Sequence, residues 1–202
     1  MKKIIILGDG GHAKSCCDVI ELEKKYEIFG VVIDKHKKKK VFNNYPILGT
    51  DKDLKNLRNK CAYAFVAIGH IKDNSVRKKL YEQLKKLKFI IPKIISPLSY
   101  VSKTSKILNG TIIMHGAIVN AGSCISKNCI INTRSLIEHD CIIEENTHIA
   151  PGAVINGHVH VGKNTFIGSN SVIKQEIVIG NNCFVNANYF LKKNLTDNKK
   201  KF

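Results

Sequence analysis

The sequence lacks the features that mark membrane, secreted and thiol-redox proteins. No stretch approaches the roughly 18 apolar residues of a membrane-spanning helix. Its seven cysteines include no C-x-x-C pair, and Met1 leads directly into a predicted strand without a signal peptide. We therefore expect free thiols, no membrane span and a location in the reducing cytoplasm.

Acidic residues are also scarce, with 16 aspartates and glutamates against 33 lysines and arginines, so that the net charge is +17. A basic surface can bind nucleic acid. Most of the lysines are scattered over predicted helices, however, and the clusters at residues 35–40 and Lys199–Lys201 have no interleaved aromatic residues for base stacking. We interpret the charge as a solvated surface that favours anionic small substrates, with no nucleic-acid partner.

A six-residue repeat occupies the second half of the chain, where every sixth position from Ile95 to Leu191 is isoleucine, valine or leucine. This period matches neither the 3.6 residues of a helical turn nor the alternation of an ordinary strand. It predicts a triangular parallel β-solenoid in which three six-residue segments close each turn and residues 18 apart stack on one another. Small residues usually follow four positions after each aliphatic residue, as narrow corners require.

Residues 1–93 follow a different pattern, in which short apolar runs alternate with polar helical stretches. This alternation predicts a small parallel α/β sheet of Rossmann-like type. We therefore predict two domains, each long enough to bury its own core: a Rossmann-like domain over residues 1–93 and a β-helix over residues 94–202.

A glycine-rich turn, GDGGHAK, lies between the first predicted strand and helix, from Gly8 to Lys14. Gly10 and Gly11 allow the backbone to approach a phosphate, and the helix that follows would direct amide donors toward it. Asp34 ends the second predicted strand, where a ribose ligand is often found. Because about 90 residues are too few for a complete dinucleotide fold, we expect a single nucleotide moiety to bind. A purely structural tight turn is the alternative.

A cluster of polar residues in the repeat region contains Asn132-Thr133, Glu138-His139-Asp140 and His148. Counting 18 residues in each direction places His139 between Ala121 and Gly157, whose small size leaves space beside the imidazole. Asp140 stacks within one turn of His158 and could raise the basicity of an imidazole, as general-base catalysis requires. The alternative is a solvated histidine at a corner of the solenoid.

Outward-facing positions predict an oligomer. One face carries an apolar stripe: Tyr100, Ile118, Leu136, Val154, Val172 and Phe190. A stripe of this length is not expected on a monomer, and one such face on a triangular prism suggests a cyclic homotrimer. A second face carries Ile112, Ile130, His148, Phe166 and Phe184, so that His148 would line a cleft at the interface or simply pack among apolar neighbours.

About 190 residues resemble bacterial sugar acetyltransferases of the sialic acid O-acetyltransferase (NeuD) and bacillosamine-pathway N-acetyltransferase (PglD) type, roughly the whole chain in length. The resemblance rests on ILGDGGHAK, GVVID, YPILGT, FVAIG, IISPLSYV, NGTIIMHGAIVNAG, NTRSLIEHDCII and THIAPGAV, in that order. These proteins belong to the hexapeptide-repeat superfamily, so the resemblance implies that the β-helix is left-handed. It also implies acetyl-CoA as co-substrate and no metal.

The resemblance assigns roles to individual residues. His139 would be the general base and Asp140 the acidic residue that tunes it. The acetyl donor would contact His148, Gly157, Ser169 and Ala187, with the Gly157 amide facing the thioester oxygen. The sugar nucleotide would contact Gly10, Gly11, His12, Asp34, Lys35 and Gly69, and we add Asn132 to these candidate substrate-binding residues.

The function implied is direct transfer of an acetyl group to an amine on a nucleotide-linked sugar, in surface glycan biosynthesis. A hydroxyl of sialic acid, or of a related nonulosonic acid, is the alternative acceptor. Cys141 falls in the inward small position, so we expect a core thiol and not an acyl-cysteine.

Two alternatives come from other functional classes. One is a zinc hydratase using histidines such as His158 and His160 across the trimer interface. The other is a non-catalytic scaffold, since Val159 and Tyr189 fill positions that are usually small and the last turn is atypical.

Overall fold

The computed structural model describes residues 1–34 and 41–201, and the chain divides into two compact units, Met1–Ile94 and Ile95–Phe202. Lys35, one of the candidate nucleotide-binding residues, lies outside the described residues. Among the described residues, no helix is both long and apolar enough to cross a membrane.

The first unit is a five-stranded sheet with helices, as the alternating pattern predicts. Its strands are β1 (Lys2–Leu7), β2 (Tyr26–Ile33), β3 (Val41–Phe42), β4 (Tyr45–Thr50) and β5 (Tyr63–Val66). Its helices are α1 (Gly11–Glu23), α2 (Leu54–Arg58) and α3 (Ser75–Lys86), and a 3-10 turn covers Asp51–Asp53. The strand order is β3-β4-β2-β1-β5, parallel except for the antiparallel pair β3 and β4.

The predicted apolar runs form the centre of this sheet. Residues 4–7 of β1 are all buried, because a parallel strand is covered on both faces. The short hairpin of β3 and β4 was not predicted, since its strands are brief and partly exposed. The FIIPKII segment forms one isolated bridge, between Tyr63 and Ile90, and its last two residues join the solenoid instead.

The second unit is a parallel β-helix with three flat faces, which confirms the solenoid prediction. Face A is a six-stranded sheet made of Tyr100–Val101, Ile118–Val119, Leu136–Ile137, Val154–Ile155, Val172–Ile173 and Phe190–Leu191. Face B is a five-stranded sheet made of Lys106–Ile107, Cys124–Ile125, Ile142–Ile143, His160–Val161 and Val178–Ile179. Face C is a seven-stranded sheet made of Ile94–Ile95, Ile112–Ile113, Ile130–Ile131, His148–Ile149, Phe166–Ile167, Phe184–Val185 and Lys200–Lys201.

Each strand pairs with the strand one turn away, as in Ile137 with Ile155 and Ile131 with Ile149, so the stacking interval is 18 residues. The second residue of each strand points inward, and from Ile107 onward all the aliphatic positions of the repeat are buried in one continuous core. Val159, which departs from the small-residue pattern, is also buried in this core, and Tyr189 packs against it.

The corners between faces use left-handed backbone. Most described corners carry glycine or asparagine at the residue with positive φ, as in Gly122, Asn146 and Gly152. The exceptions are Arg134, Asp140, His158 and Glu176. Three of these, Asp140, His158 and Glu176, stack 18 residues apart on the corner between faces A and B, called corner AB below. Ordinary side chains in this conformation cost about 1–2 kcal/mol each, which directs attention to this corner.

Candidate active site

His139 and Asp140 occupy corner AB directly after the strand Leu136–Ile137. The imidazole Nδ1 of His139 lies 2.9 Å from Oδ2 of Asp140. An ionised carboxylate only accepts hydrogen bonds, so Nδ1 carries the proton and donates it, and the neutral imidazole keeps its lone pair on Nε2. Both side chains are about half exposed, at 53% and 51%. The pair therefore presents an oriented base to its surroundings.

Gly157 leaves the space that the 18-residue count predicts beside this base. A Cβ atom at position 157 would lie 2.7 Å from both Cε1 and Nε2 of His139. This is closer than real Cβ contacts allow, so any side chain here would collide with the nitrogen that holds the lone pair. The structure thus brings His139, Asp140 and Gly157 together at one corner.

Asn132 and His148 form a second pair, which the sequence analysis did not join. The Thr133 amide donates to Oδ1 of Asn132 at 2.8 Å, so the Asn132 amide group presents its Nδ2 to Nε2 of His148 at 3.0 Å. Nε2 of His148 must then accept this hydrogen bond. His148 is buried, at 6% exposure, and its ring meets Phe166 edge to face at 5.2 Å.

The burial of His148 narrows the expectation for face C. Its outward residues Ile112, Ile130, His148 and Phe166 are all buried within the single chain. Face C therefore does not present His148 as the wall of an open cleft, because the ring is already packed. By contrast, face A leaves Tyr100, Ile118 and Phe190 exposed, in agreement with the predicted stripe.

Ser169 and Ala187 lie on a different edge of the solenoid from His139, on the corner between faces C and A, called corner CA. The two residues are one turn apart, and the amide of Asn188 donates to the Ser169 carbonyl at 2.8 Å. Ser169 is partly exposed and Ala187 is exposed. Within one chain, the candidate donor residues Ser169 and Ala187 and the candidate base thus flank face A from opposite sides.

In the first unit, the candidate nucleotide-binding residues follow the carboxyl ends of three neighbouring parallel strands. Gly10 and Gly11 follow β1 and begin α1, and a Cβ on either would meet open space. Asp34 follows β2 and is exposed. Gly69 follows β5, and a Cβ there would lie 3.3 Å from His12, so these two residues are neighbours. This edge of an open parallel sheet is where ligands usually bind.

A buried arginine shapes the turn that carries Gly69. Arg77 of α3 is fully buried, and its Nη1 donates to the carbonyl oxygens of Val66 at 2.7 Å and Ile68 at 2.9 Å. These bonds satisfy main-chain groups just beyond the end of β5. Nothing in the sequence pattern distinguished Arg77 from the surface residues of the same helix.

The histidines of the metal alternative contact different carboxylates. His158 Nε2 lies 3.8 Å from Oδ2 of Asp140, whereas His160 Nε2 lies 2.9 Å from Oε1 of Glu144. Among the described residues, His139, Asp140 and His158 bring potential ligand atoms within 4.8 Å of one another. The direct hydrogen bond between His139 and Asp140 uses two of these groups on each other, so the geometry favours a base over a metal centre.

Cys141 is a core residue, as its position in the repeat predicts. It is fully buried, and its Sγ lies 3.1 Å from the carbonyl oxygen of Asn156. Burial raises the pKa of the thiol to about 11, and the nearby carboxylates of Glu138 and Asp140 act in the same direction. A thiol in this state is a poor nucleophile at neutral pH.

Three family models match successive parts of the chain. Residues 3–84 match the PglD N-terminal domain. Residues 125–157 match the bacterial transferase hexapeptide (six repeats), and residues 158–193 match the hexapeptide repeat of succinyl-transferase. The solenoid is accordingly a left-handed parallel β-helix.

Named relatives have the same architecture. A UDP-N-acetylbacillosamine N-acetyltransferase from Bacillus subtilis is 34% identical over 116 residues, which are 56% of this chain and 52% of that protein. The match thus spans about half the length of this curated relative.

Two solved structures align over nearly the whole chain. The acetyltransferase domain of PglB from Neisseria gonorrhoeae, in complex with acetyl coenzyme A, is 27% identical with a TM-score of 0.90, over 98% of this chain and 95% of that chain. PerB from Caulobacter crescentus, in complex with CoA and GDP-perosamine, is 28% identical with a TM-score of 0.90, over 98% of this chain and 92% of that chain. The chain therefore belongs to the family of bacterial hexapeptide-repeat sugar acetyltransferases that carry a PglD-type N-terminal domain.

Proposed function

We propose that this protein transfers an acetyl group from acetyl-CoA to an amine on a nucleotide-linked sugar, with His139 as the general base. The observation that carries the proposal is the pair of His139 and Asp140, whose geometry leaves the lone pair of Nε2 beside the gap at Gly157. A relative solved with CoA and GDP-perosamine, and another named as an amino-sugar N-acetyltransferase, support an amine as acceptor.

The reaction needs no covalent enzyme intermediate. The sugar amine attacks the thioester carbonyl while His139 Nε2 removes its proton. The C–S bond then breaks, and the proton passes to the departing thiolate of CoA. The Gly157 amide would donate to the developing oxyanion, where loss of one donor typically costs about 10²–10³ in rate. Asp140 holds the imidazole in the required tautomer and stabilises the imidazolium that forms.

We further propose that the site is completed in a homotrimer. In a cyclic trimer with face A turned toward the axis, corner AB of each copy meets corner CA of the next. Such packing would bring His139 of one copy close to Ser169 and Ala187 of its neighbour, which one chain keeps on opposite sides of face A. It would also cover the exposed apolar residues of that face.

The nucleotide part of the acceptor is proposed to bind at the carboxyl edge of the first sheet. Gly10 and Gly11 leave the start of α1 open, and amide donors at a helix start suit a phosphate. Asp34, Gly69 and His12 follow neighbouring strands or the same turn and would contact the nucleoside or the sugar.

The test is release of free thiol from acetyl-CoA in the presence of nucleotide-linked 4-amino sugars, or of free or CMP-linked sialic acids. We expect release with an amino sugar and a loss of about 10²–10⁴ in turnover in His139→Ala. His160→Ala is the matched control, because His160 also pairs with a carboxylate at 2.9 Å but lies on face B and should keep near-normal turnover.

Other outcomes would overturn parts of the proposal. Release only with a sialic acid would make the protein an O-acetyltransferase. Absence of both release and acetyl-CoA binding would favour the non-catalytic scaffold. Equal turnover in His139→Ala and the parent protein would remove His139 from the mechanism.

A further inference from the structure

His158 lies one turn beyond Asp140 on corner AB and contacts the same carboxylate as His139. Its Nε2 is 3.8 Å from Oδ2 of Asp140, the atom that accepts the hydrogen bond from His139. The two imidazole rings meet edge to face, with centroids 5.1 Å apart and planes at 87°. The amide of His158 also donates to the His139 carbonyl at 3.0 Å, which holds the two backbones in register.

The residue type at position 158 is not what the backbone alone would select. His158 has φ of +57°, and most described corners with this conformation carry glycine or asparagine. An imidazole here is about half exposed and adds nothing to the buried core. The contacts it makes are those to Asp140 and to the ring of His139.

We infer that His158 is a positioning residue of the active site, which shares Asp140 with His139 and thereby couples the state of the general base to a second imidazole. This inference rests on the proposed function. When His158 gains a proton, it becomes an ion-pair partner of Oδ2 and competes with His139 for that oxygen. Its positive charge also disfavours a second positive charge on the neighbouring ring.

Other charged groups around His158 can modulate this coupling but do not replace it. The turn before it carries Glu138, His139 and Asp140, and the turn after it carries Lys174 and Glu176. In the proposed trimer, the facing corner CA would add His115 and Arg134. Of the ionisable side chains in these turns, Asp140 and His139 are the ones in direct contact with the imidazole of His158.

The direction of the effect follows from these contacts. Replacing His158 gives Asp140 wholly to His139 and removes the competing positive charge. Both changes favour the protonated, inactive form of His139. The acid limb of the pH profile of kcat/KM should therefore move to higher pH, by about half to one pH unit for charges 5 Å apart near the surface, and should follow a single proton.

The test compares the parent protein with His158→Asn, since asparagine is the residue that other corners use. Glu176→Asn is the matched control, because it makes the same kind of change on the same corner one turn away. We expect a shifted acid limb in H158N, an unshifted one in E176N and similar Tm values in all three proteins. Superimposable profiles for H158N and the parent protein would overturn the inference.

A measurement that needs no activity separates this inference from the proposed function. The ring resonances of His139 and His158, assigned by substitution, can be followed with pH by NMR. Coupled two-step titration of His139 that becomes a single step in H158N supports the inference even if no acceptor is acetylated. A single-step titration of His139 in both proteins would contradict it, even if acetylation by His139 is established.

Discussion

At the scale of single residues, the β-helix separates packing from chemistry over very short stretches of chain. Ile137 and Cys141 are fully buried, whereas His139 and Asp140 between them are about half exposed. The reason is the corner, where the left-handed turn at Asp140 directs two consecutive side chains away from the core. Substitutions at His139 should therefore change catalysis with little effect on the free energy of unfolding.

Gly157→Ala tests the space beside the base. The new Cβ would lie 2.7 Å from the ring of His139, which is exposed and can rotate away. We expect kcat/KM to fall by about 10–10²-fold, because the base is displaced, with little change in Tm.

Gly162→Ala is the matched control for that substitution. Its Cβ would lie 2.6 Å from the backbone carbon of Gly180, which cannot move without disturbing the stack. This variant should lose about 1–3 kcal/mol of stability, measured by thermal unfolding. A large loss of Tm in Gly157→Ala, equal to that of Gly162→Ala, would contradict the distinction.

Cys141→Ala tests whether a thiol takes part in the reaction. Because burial raises the pKa of Cys141 to about 11, very little thiolate exists at pH 7–8. Turnover should remain within about threefold of the parent protein, apart from a modest loss of stability from the smaller side chain. Mass spectrometry after brief exposure to labelled acetyl-CoA should find no acetyl group on this residue, and a stable acetyl-cysteine would refute direct transfer.

Much of the candidate site could be predicted because register in a solenoid is simple arithmetic. The positions of His139, Asp140 and Gly157 relative to one another followed from the 18-residue interval, which the structure confirms. The bond between Asn132 and His148 could not be predicted, because it joins residues 16 apart on a corner and a face. Which imidazole nitrogen faces Asp140 depends on side-chain rotation, which a sequence pattern does not encode.

At the scale of elements, short strands and turns are stabilised by a few backbone positions with special conformations. Each strand of the β-helix is two residues long in the structure, so corners make up most of the chain in that unit. The asparagines at corners also bond to one another, as Asn128 Nδ2 does to Asn146 Oδ1 at 2.8 Å. These ladders offset the cost of the left-handed conformation.

Lys24→Gly tests the same conformation at the end of a helix. Lys24 caps α1 with φ of +56° and keeps a backbone hydrogen bond to Glu21. Glycine adopts this conformation without steric cost and retains that bond, so we expect a gain of about 0.5–1 kcal/mol. Lys25→Gly is the control and should be slightly destabilising, since Lys25 lacks positive φ and pairs with Glu23 at 2.7 Å. Calorimetry of both variants decides the matter, and equal Tm values would count against it.

Elements differed in how well their sequences predicted them. The three helices and the four long strands of the first unit were predictable from length and periodicity, except that β4 follows the unpredicted β3 in a hairpin. The two-residue strands of the second unit would escape any local propensity argument. They were predicted only because the repeat links many turns, each of which would be ambiguous alone.

At the scale of the whole molecule, face A is the surface that remains to be explained. Tyr100, Ile118 and Phe190 are exposed along it, with Leu136, Val154 and Val172 partly exposed between them. The resulting apolar strip runs along every turn of the face A sheet. A second copy of this chain is the occupant that also brings the two halves of the proposed site together.

Leu136→Asp tests this interface. A carboxylate at the centre of the stripe would have to be buried without a partner, so we expect the assembly to fall from three times the 22.6 kDa chain mass to one. Ile142→Asp is the matched control, since Ile142 is 45% exposed but lies on face B. Sedimentation velocity should find trimers for the control only. Trimers of both variants would exclude face A as the interface.

The constant length of the turn determines which insertions and deletions the chain can accept. One extra residue within a strand would shift every later residue out of alignment, so that Gly157 would no longer lie beside His139. Addition or removal of a complete 18-residue turn beyond the site would leave that alignment unchanged, because each turn contacts only its neighbours. The molecule is thus free to vary in length in whole turns, while its chemistry tolerates no change of frame.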